Sequence, residues 1–123
     1  MNSLSRFCWI TAIIYVLIGM CFGIWMSITG DHRFAPAHAH LNLIGWVSIA
    51  LFGTFYALVP QASAWMISKI QVGLAQIAVI TMFPGIIMAI SGTGEALAKI
   101  GSLFALATML LFLFIVVRTT KSA

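Results

Sequence analysis

Long hydrophobic runs, separated by three short polar breaks, dominate the chain. Four runs are long enough to cross a bilayer, at about residues 7–29, 37–59, 69–91 and 96–117. A helix needs about 20 apolar residues to span the hydrocarbon core, and in lipid its backbone groups must be satisfied internally. The pattern therefore predicts an all-α membrane protein, with residues 1–123 forming a single four-transmembrane-helix bundle.

Composition strengthens this interpretation. Of the 123 residues, 63% are hydrophobic and 7% are charged, and the mean hydropathy is +1.14. A water-soluble domain carries about 25% charged residues, so membrane lipid is the expected surrounding. The formal net charge of +4 comes from cations that stand singly at the ends of apolar runs. They form no basic patch, which argues against nucleic acid as a partner.

Local features refine the helices. The first run is longer than the apolar core of a signal peptide and lacks a clear cleavage site, so we expect a retained helix. Within it, Gly19 and Gly23 form a small-xxx-small pair that suits close helix contact. In the third run, Pro84-Gly85 predicts a kink.

The cations are unevenly distributed between the two ends of the bundle. An even number of spans places the two ends of the chain on the same side. That side carries four cations and the other carries two cations with both acids: Arg6, Lys69, Arg118 and Lys121 against Arg33, Lys99, Asp31 and Glu95. The positive-inside rule then predicts cytoplasmic termini.

All three histidines lie within nine residues, at His32, His38 and His40, on the predicted outer side. Ionisable groups in a span are costly and are functional candidates, and imidazole is the commonest metal ligand. These three are the candidate metal ligands. In a helix His38 and His40 are about 200° apart. Either the helix begins after His38, or the two serve different sites or different subunits.

Neighbouring polar residues are assigned by spacing. Asn42 shares a helix face with His38 and could fix its imidazole tautomer. One histidine at a helix end is most often a solvated or hydrogen-bonded interface residue, but three together favour metal or haem ligation. In the third run, Gln71 and Gln76 are expected to form hydrogen bonds across helices.

The stretch Ala37-His38-Ala39-His40-Leu41-Asn42-Leu43-Ile44-Gly45-Trp46, continued by Phe52-Gly53-Thr54-Phe55-Tyr56-Ala57-Leu58-Val59-Pro60, resembles the second helix of the haem-copper oxidase superfamily. It is especially similar to small bacterial membrane proteins described as cytochrome oxidase subunit I-like. The resemblance implies a bacterial inner membrane and haem b, with His40 as favoured axial ligand. His38 would be a second ligand or would bind a second metal.

Two further residues gain expected roles from a bound haem. Gly45 would permit close approach to a porphyrin or to a neighbouring backbone. Arg33, at the membrane surface, would meet the haem carboxylates. The expected activity is electron transfer, gas binding or haem handling, with an unspecified redox partner.

The chain also departs from that superfamily. The large oxidase subunit has twelve helices with further metal ligands on later ones, whereas this chain has no histidine after His40. Four helices resemble one of its three arcs, which implies a homotrimer. Two converging imidazoles, from His38 or His40 of neighbouring copies, would ligate a haem. Three would suit copper or zinc.

Two alternatives remain open at this point. The first is a copper-binding or copper-handling membrane protein that uses the His32, His38 and His40 cluster without haem. The second is a structural or assembly subunit without a cofactor, whose histidines are merely interfacial. The sequence contains no catalytic carboxylate pair, nucleophile constellation or phosphate-binding loop, so it leaves enzymatic turnover open.

Overall fold

A computed structural model describes the backbone of residues 1–122 and the side chains of residues 1–119. Four helices account for most of the chain: Ser3–Thr29, Ala35–Leu58, Met66–Ile90 and Ala96–Ser122. Each has at least 24 residues, more than the about 20 that a membrane span needs. The predicted all-α, four-span architecture is confirmed, and these are called the first to fourth helices below.

The first helix begins four residues before its predicted start. Asn2 caps it, because its side-chain oxygen accepts a hydrogen bond from the Ser5 backbone N–H at 2.9 Å. Such a cap satisfies one of the free N–H groups of the first turn. The helix ends where Gly30 adopts φ 69°, a left-handed conformation that suits glycine.

The second helix begins at Ala35 and includes Pro36 in its first turn, where the missing proline N–H costs nothing. Both His38 and His40 are therefore helical, and a start after His38 is wrong. The middle of this helix, Leu41–Ser48, is a π-helix. Such segments are rare and often lie at functional sites, and the hydropathy pattern did not predict this one.

The π-helix changes which residues align. In an α-helix, two positions four residues apart differ by about 40° in direction around the helix axis. The wider turns of the π-helix offset this rotation, so that such positions point in nearly the same direction along the second helix. One series of buried positions in the second helix accordingly recurs every four residues, at Ala37, Leu41, Gly45, Ile49 and Gly53, and Ala50, Phe52 and Tyr56 are buried beside it. We call the five positions of this series the buried stripe.

The third and fourth helices start and end close to the predictions. Met66 precedes the expected start by three residues, after a short helical turn at Pro60–Ser63. At Pro84 the helix continues without a break. The fourth helix extends to Ser122 rather than 117, and the side chain of Lys121 lies outside the described residues.

Side chains near the two ends of the described chain lie at the same end of the bundle. Asn2 Nδ2 donates to the Tyr56 carbonyl at 2.7 Å, at the end of the second helix. The Arg118 guanidinium lies 5.1 Å from the centre of the Trp65 ring, at the start of the third. Both ends of the described chain therefore lie beside the connection between the second and third helices.

The two ends differ in charge. At the histidine end, Arg33 pairs with Asp31 at 3.2 Å. Lys99 pairs there with Glu95 at 3.4 Å. Since the sequence has only these two acidic residues, the opposite end carries cations without an acidic side chain. The topology prediction itself rests on the number of Lys and Arg residues at each end, four against two, because acidic residues contribute little to the positive-inside rule.

Close packing of the third helix against the fourth generates a first prediction. A Cβ added at Gly85 would lie 2.6 Å from the Ala98 backbone nitrogen, whereas one added at Gly73 meets nothing within 4 Å. Gly85→Ala should lower the free energy of unfolding by about 1–3 kcal/mol, because the contact is with backbone. The measurement is unfolding in mixed micelles, followed by circular dichroism.

Gly73→Ala is the matched control on the same helix. It should leave stability unchanged or raise it by up to about 1 kcal/mol, from helix propensity alone. Equal effects of the two substitutions would contradict the described packing.

Candidate functional site

His38 lies on the side of the second helix that faces the first helix. Asn42 Nδ2 donates a hydrogen bond to His38 Nε2 at 3.2 Å, the contact that their spacing predicts. The imidazole also stacks on Phe22 of the first helix, with ring centres 6.2 Å apart. Since Nε2 accepts this bond, the proton of the neutral ring is on Nδ1.

The side chains of Asn42 and His38 pack against the two glycines of the small-xxx-small pair in the first helix. A Cβ at Gly23 would lie 3.0 Å from His38 Nε2, and one at Gly19 would collide with Asn42 Oδ1. That oxygen is buried without a hydrogen-bond partner among the described residues. The His38 nitrogen that faces Gly23 is therefore enclosed, and a metal there would have to displace Asn42.

His40 is held in a different way. Its Nδ1 lies 2.7 Å from the Pro36 carbonyl oxygen. A carbonyl can only accept, so Nδ1 carries the proton and Nε2 of the neutral ring keeps its lone pair. Metal-ligating histidines are commonly oriented by this kind of bond from the other ring nitrogen. His40 is half-buried, and its Nε2 forms no hydrogen bond within the described part of the chain.

The two histidines lie on different lines along the second helix. Four residues beyond Asn42, in line with His38, Trp46 packs edge-on against Trp9 of the first helix at 5.9 Å. In line with His40 are Ile44 and Ser48, which instead border a cavity shared with the third and fourth helices. The contacts therefore assign the two imidazoles to different surroundings.

The remaining candidate ligand, His32, is exposed in the loop before the second helix. Nearby Arg33 pairs with Asp31 and lies 4.8 Å from the Phe34 ring centre. Among the side chains described, no three histidine, cysteine or acidic groups converge to hold a metal ion. One chain does not bring His32, His38 and His40 together.

Gly45 lies on the buried stripe, beneath the first helix. A Cβ there would lie 2.9 Å from Tyr15 Cβ. The expected close approach is thus made to the first helix of the same chain. Within one copy, Gly45 is covered by Tyr15.

Hydrogen bonds between side chains of different helices occur at several depths in the bundle. Tyr56 donates to Gln71 at 2.9 Å, and Tyr15 donates to Gln76 at 2.6 Å. Gln76 in turn donates to Thr11 at 2.9 Å. The expected cross-helix role of both glutamines is confirmed. The sequence did not identify the tyrosine partners, because 61 residues separate Tyr15 from Gln76.

A cavity of about 270 Å³ lies between the second, third and fourth helices. Its lining includes Ile44, Ser48, Phe52, Ala78, Ala105 and Thr108. Hydropathy gave no sign of it, because the cavity arises where small residues of three helices meet.

No protein-family model matches the chain, and neither the curated proteins nor the solved structures include a significant match. The resemblance of residues 37–60 to the haem-copper oxidases therefore stays a hypothesis. Its support must come from the contacts of His38 and His40 themselves.

The contact between the first two helices generates a second prediction. Gly19→Ala should lower the free energy of unfolding by about 1–3 kcal/mol, because its methyl group collides with Asn42. In an Asn42→Ala background the same substitution should cost much less, since the colliding atom is gone. A double-mutant cycle in detergent measures this coupling. A Gly19→Ala effect of the same size in both backgrounds would rule the contact out.

Proposed function

We propose that this chain is a b-type haem-binding membrane protein in which His40 supplies an axial ligand. The supporting observation is the 2.7 Å bond from His40 Nδ1 to the Pro36 carbonyl. It fixes the ring and leaves Nε2 as a ready ligand. A bound haem would supply reversible one-electron transfer, and it would bind diatomic gases only where one ligand position on the iron is left open. Electron transfer, gas binding or haem handling is the proposed role, and no reaction is assigned.

The second helix of one chain offers one such nitrogen, because His38 Nε2 is bonded to Asn42 and enclosed by Gly23, and His32 lies outside the helix in the preceding loop. A six-coordinate haem with two imidazoles therefore needs a ligand from a neighbouring copy. We propose a closed homo-oligomer, as is usual for identical subunits. The trimer follows from the resemblance to one four-helix arc of the oxidases.

The other residues of the site act around His40. His38 and Asn42 hold the second helix against the first and so fix the position of His40. Arg33 is exposed beside the histidine segment. Its guanidinium would donate charge-assisted hydrogen bonds to the haem carboxylates while it keeps its ion pair with Asp31.

We further propose a bacterial inner membrane with the histidine end on the outer side. The described cations at the histidine end, Arg33 and Lys99, are each paired with an acid. The opposite end carries four of the six Lys and Arg residues, and the positive-inside rule assigns the side with more of them to the cytoplasm.

Copper handling is the second candidate, because the same free nitrogen of His40 suits copper. His32 is exposed in the adjoining loop and could provide a further imidazole when that loop moves. Metal analysis on the purified protein distinguishes copper from haem iron.

The third prediction concerns the visible spectrum. Purified protein, reconstituted with haem, should show a Soret band and, after dithionite reduction, sharp α and β bands of low-spin haem. His40→Ala should abolish them, because it removes the ligand. His38→Ala, two residues away, is the matched control and should retain haem while unfolding more easily.

Either of two results would contradict this assignment. Loss of haem from His38→Ala with retention in His40→Ala would exchange the roles of the histidines. A protein that stays colourless after exposure to haem would remove the haem proposal. The copper content would then decide between the copper-handling and cofactor-free alternatives.

The fourth prediction concerns assembly. Native mass spectrometry in mild detergent should detect a trimer with haem bound between copies. His40→Ala should release the haem. A monomer or dimer that still binds haem would rule out the trimer while leaving haem binding intact.

A further inference from the structure

We infer that the cavity between the second, third and fourth helices binds one acyl chain of a membrane lipid. The inference concerns a surface away from the His38 and Asn42 contact, and it does not depend on haem binding. Three observations support the inference: the cavity has an apolar lining, it lies at mid-depth in the bundle, and it opens towards the lipid.

The lining offers hydrocarbon surface. Its two hydroxyl groups are already engaged with their own helix, because Ser48 donates to the Leu43 carbonyl and Thr108 to the Phe104 carbonyl, each at 2.9 Å. The remaining lining residues named above are alanine, isoleucine and phenylalanine. Apolar cavities of this kind bind apolar ligands and exclude water, so a hydrocarbon chain matches the lining and a polar ligand does not.

The cavity lies at mid-depth in the bundle. Ala78 is the central residue of the third helix, Met66–Ile90. Ser48 ends the π-helix in the middle of the second. At this depth the bilayer consists of acyl chains, so these chains are the molecules present at high concentration beside the cavity.

The cavity opens sideways to the lipid. At its rim on the fourth helix, Leu106 is 57% and Met109 is 51% exposed. Its floor on the third helix is closed, since Ala75 is 2% and Ala78 0% exposed. A chain can therefore enter between the second and fourth helices and rest against the third.

The test is a titration of delipidated protein in mild detergent with dioleoylphosphatidylcholine, followed by native mass spectrometry. We expect one tightly held lipid per chain. Ala105→Leu, which extends a side chain into the cavity, should weaken this binding about tenfold or more. Ser102→Leu is the matched control on the same helix. Ser102 is exposed and its hydroxyl bonds only to the Lys99 carbonyl, so lipid binding should stay unchanged.

A smaller change, Ala105→Val, should give an intermediate loss and keeps the test valid if the leucine variant does not fold. Three results would overturn the inference. One is equal lipid binding by the Ala105 variants and the wild type. Another is a strong preference for dioleoylphosphatidylglycerol, which would place the lipid at the cations of the opposite end. The third is a change of oligomeric state in the Ala105 variants without loss of bound lipid, which would mean that a second copy of the chain occupies the cavity.

Discussion

The wide turns of Leu41–Ser48 constrain most of the arrangement around the histidines. They bring residues four apart into line, so that the buried stripe from Ala37 to Gly53 runs straight along the second helix. On one side of the stripe, His38 faces the first helix. On the other, the line of His40 leads to the cavity beside the third and fourth helices. A regular α-helix would wind each of these lines around the bundle.

Association of the helices then depends on close contact and on polar pairs, since apolar side chains gain little from leaving lipid for one another. Gly19 and Gly23 let the first helix lie against Asn42 and His38. Bonds such as Tyr15 to Gln76 tie the first helix to the third. The same polar groups would be costly if left unpaired in hydrocarbon, so they also fix which helices are neighbours.

Two histidines separated by one alanine thus have different chemistry. His38 accepts from Asn42 and is part of the packing, whereas His40 donates to Pro36 and keeps its Nε2 lone pair. The proposed haem ligation follows from this difference at Nε2, which is hydrogen-bonded to Asn42 in His38 and has no hydrogen bond within the described residues in His40. Because only one of the two helical histidines keeps a free Nε2, a haem with two imidazole ligands would need a second copy of the chain.

The sequence by itself determined the four helices and the position of the histidine segment, because lipid permits little besides helices in spans of this length and composition. It also determined the His38–Asn42 contact, which is local to one helix. Only the tertiary structure decided the partner of Gln76, the cover of Gly45 by Tyr15 and the cavity. Each of these joins residues distant in the chain, and hydropathy records how apolar a residue is but not which neighbour it meets.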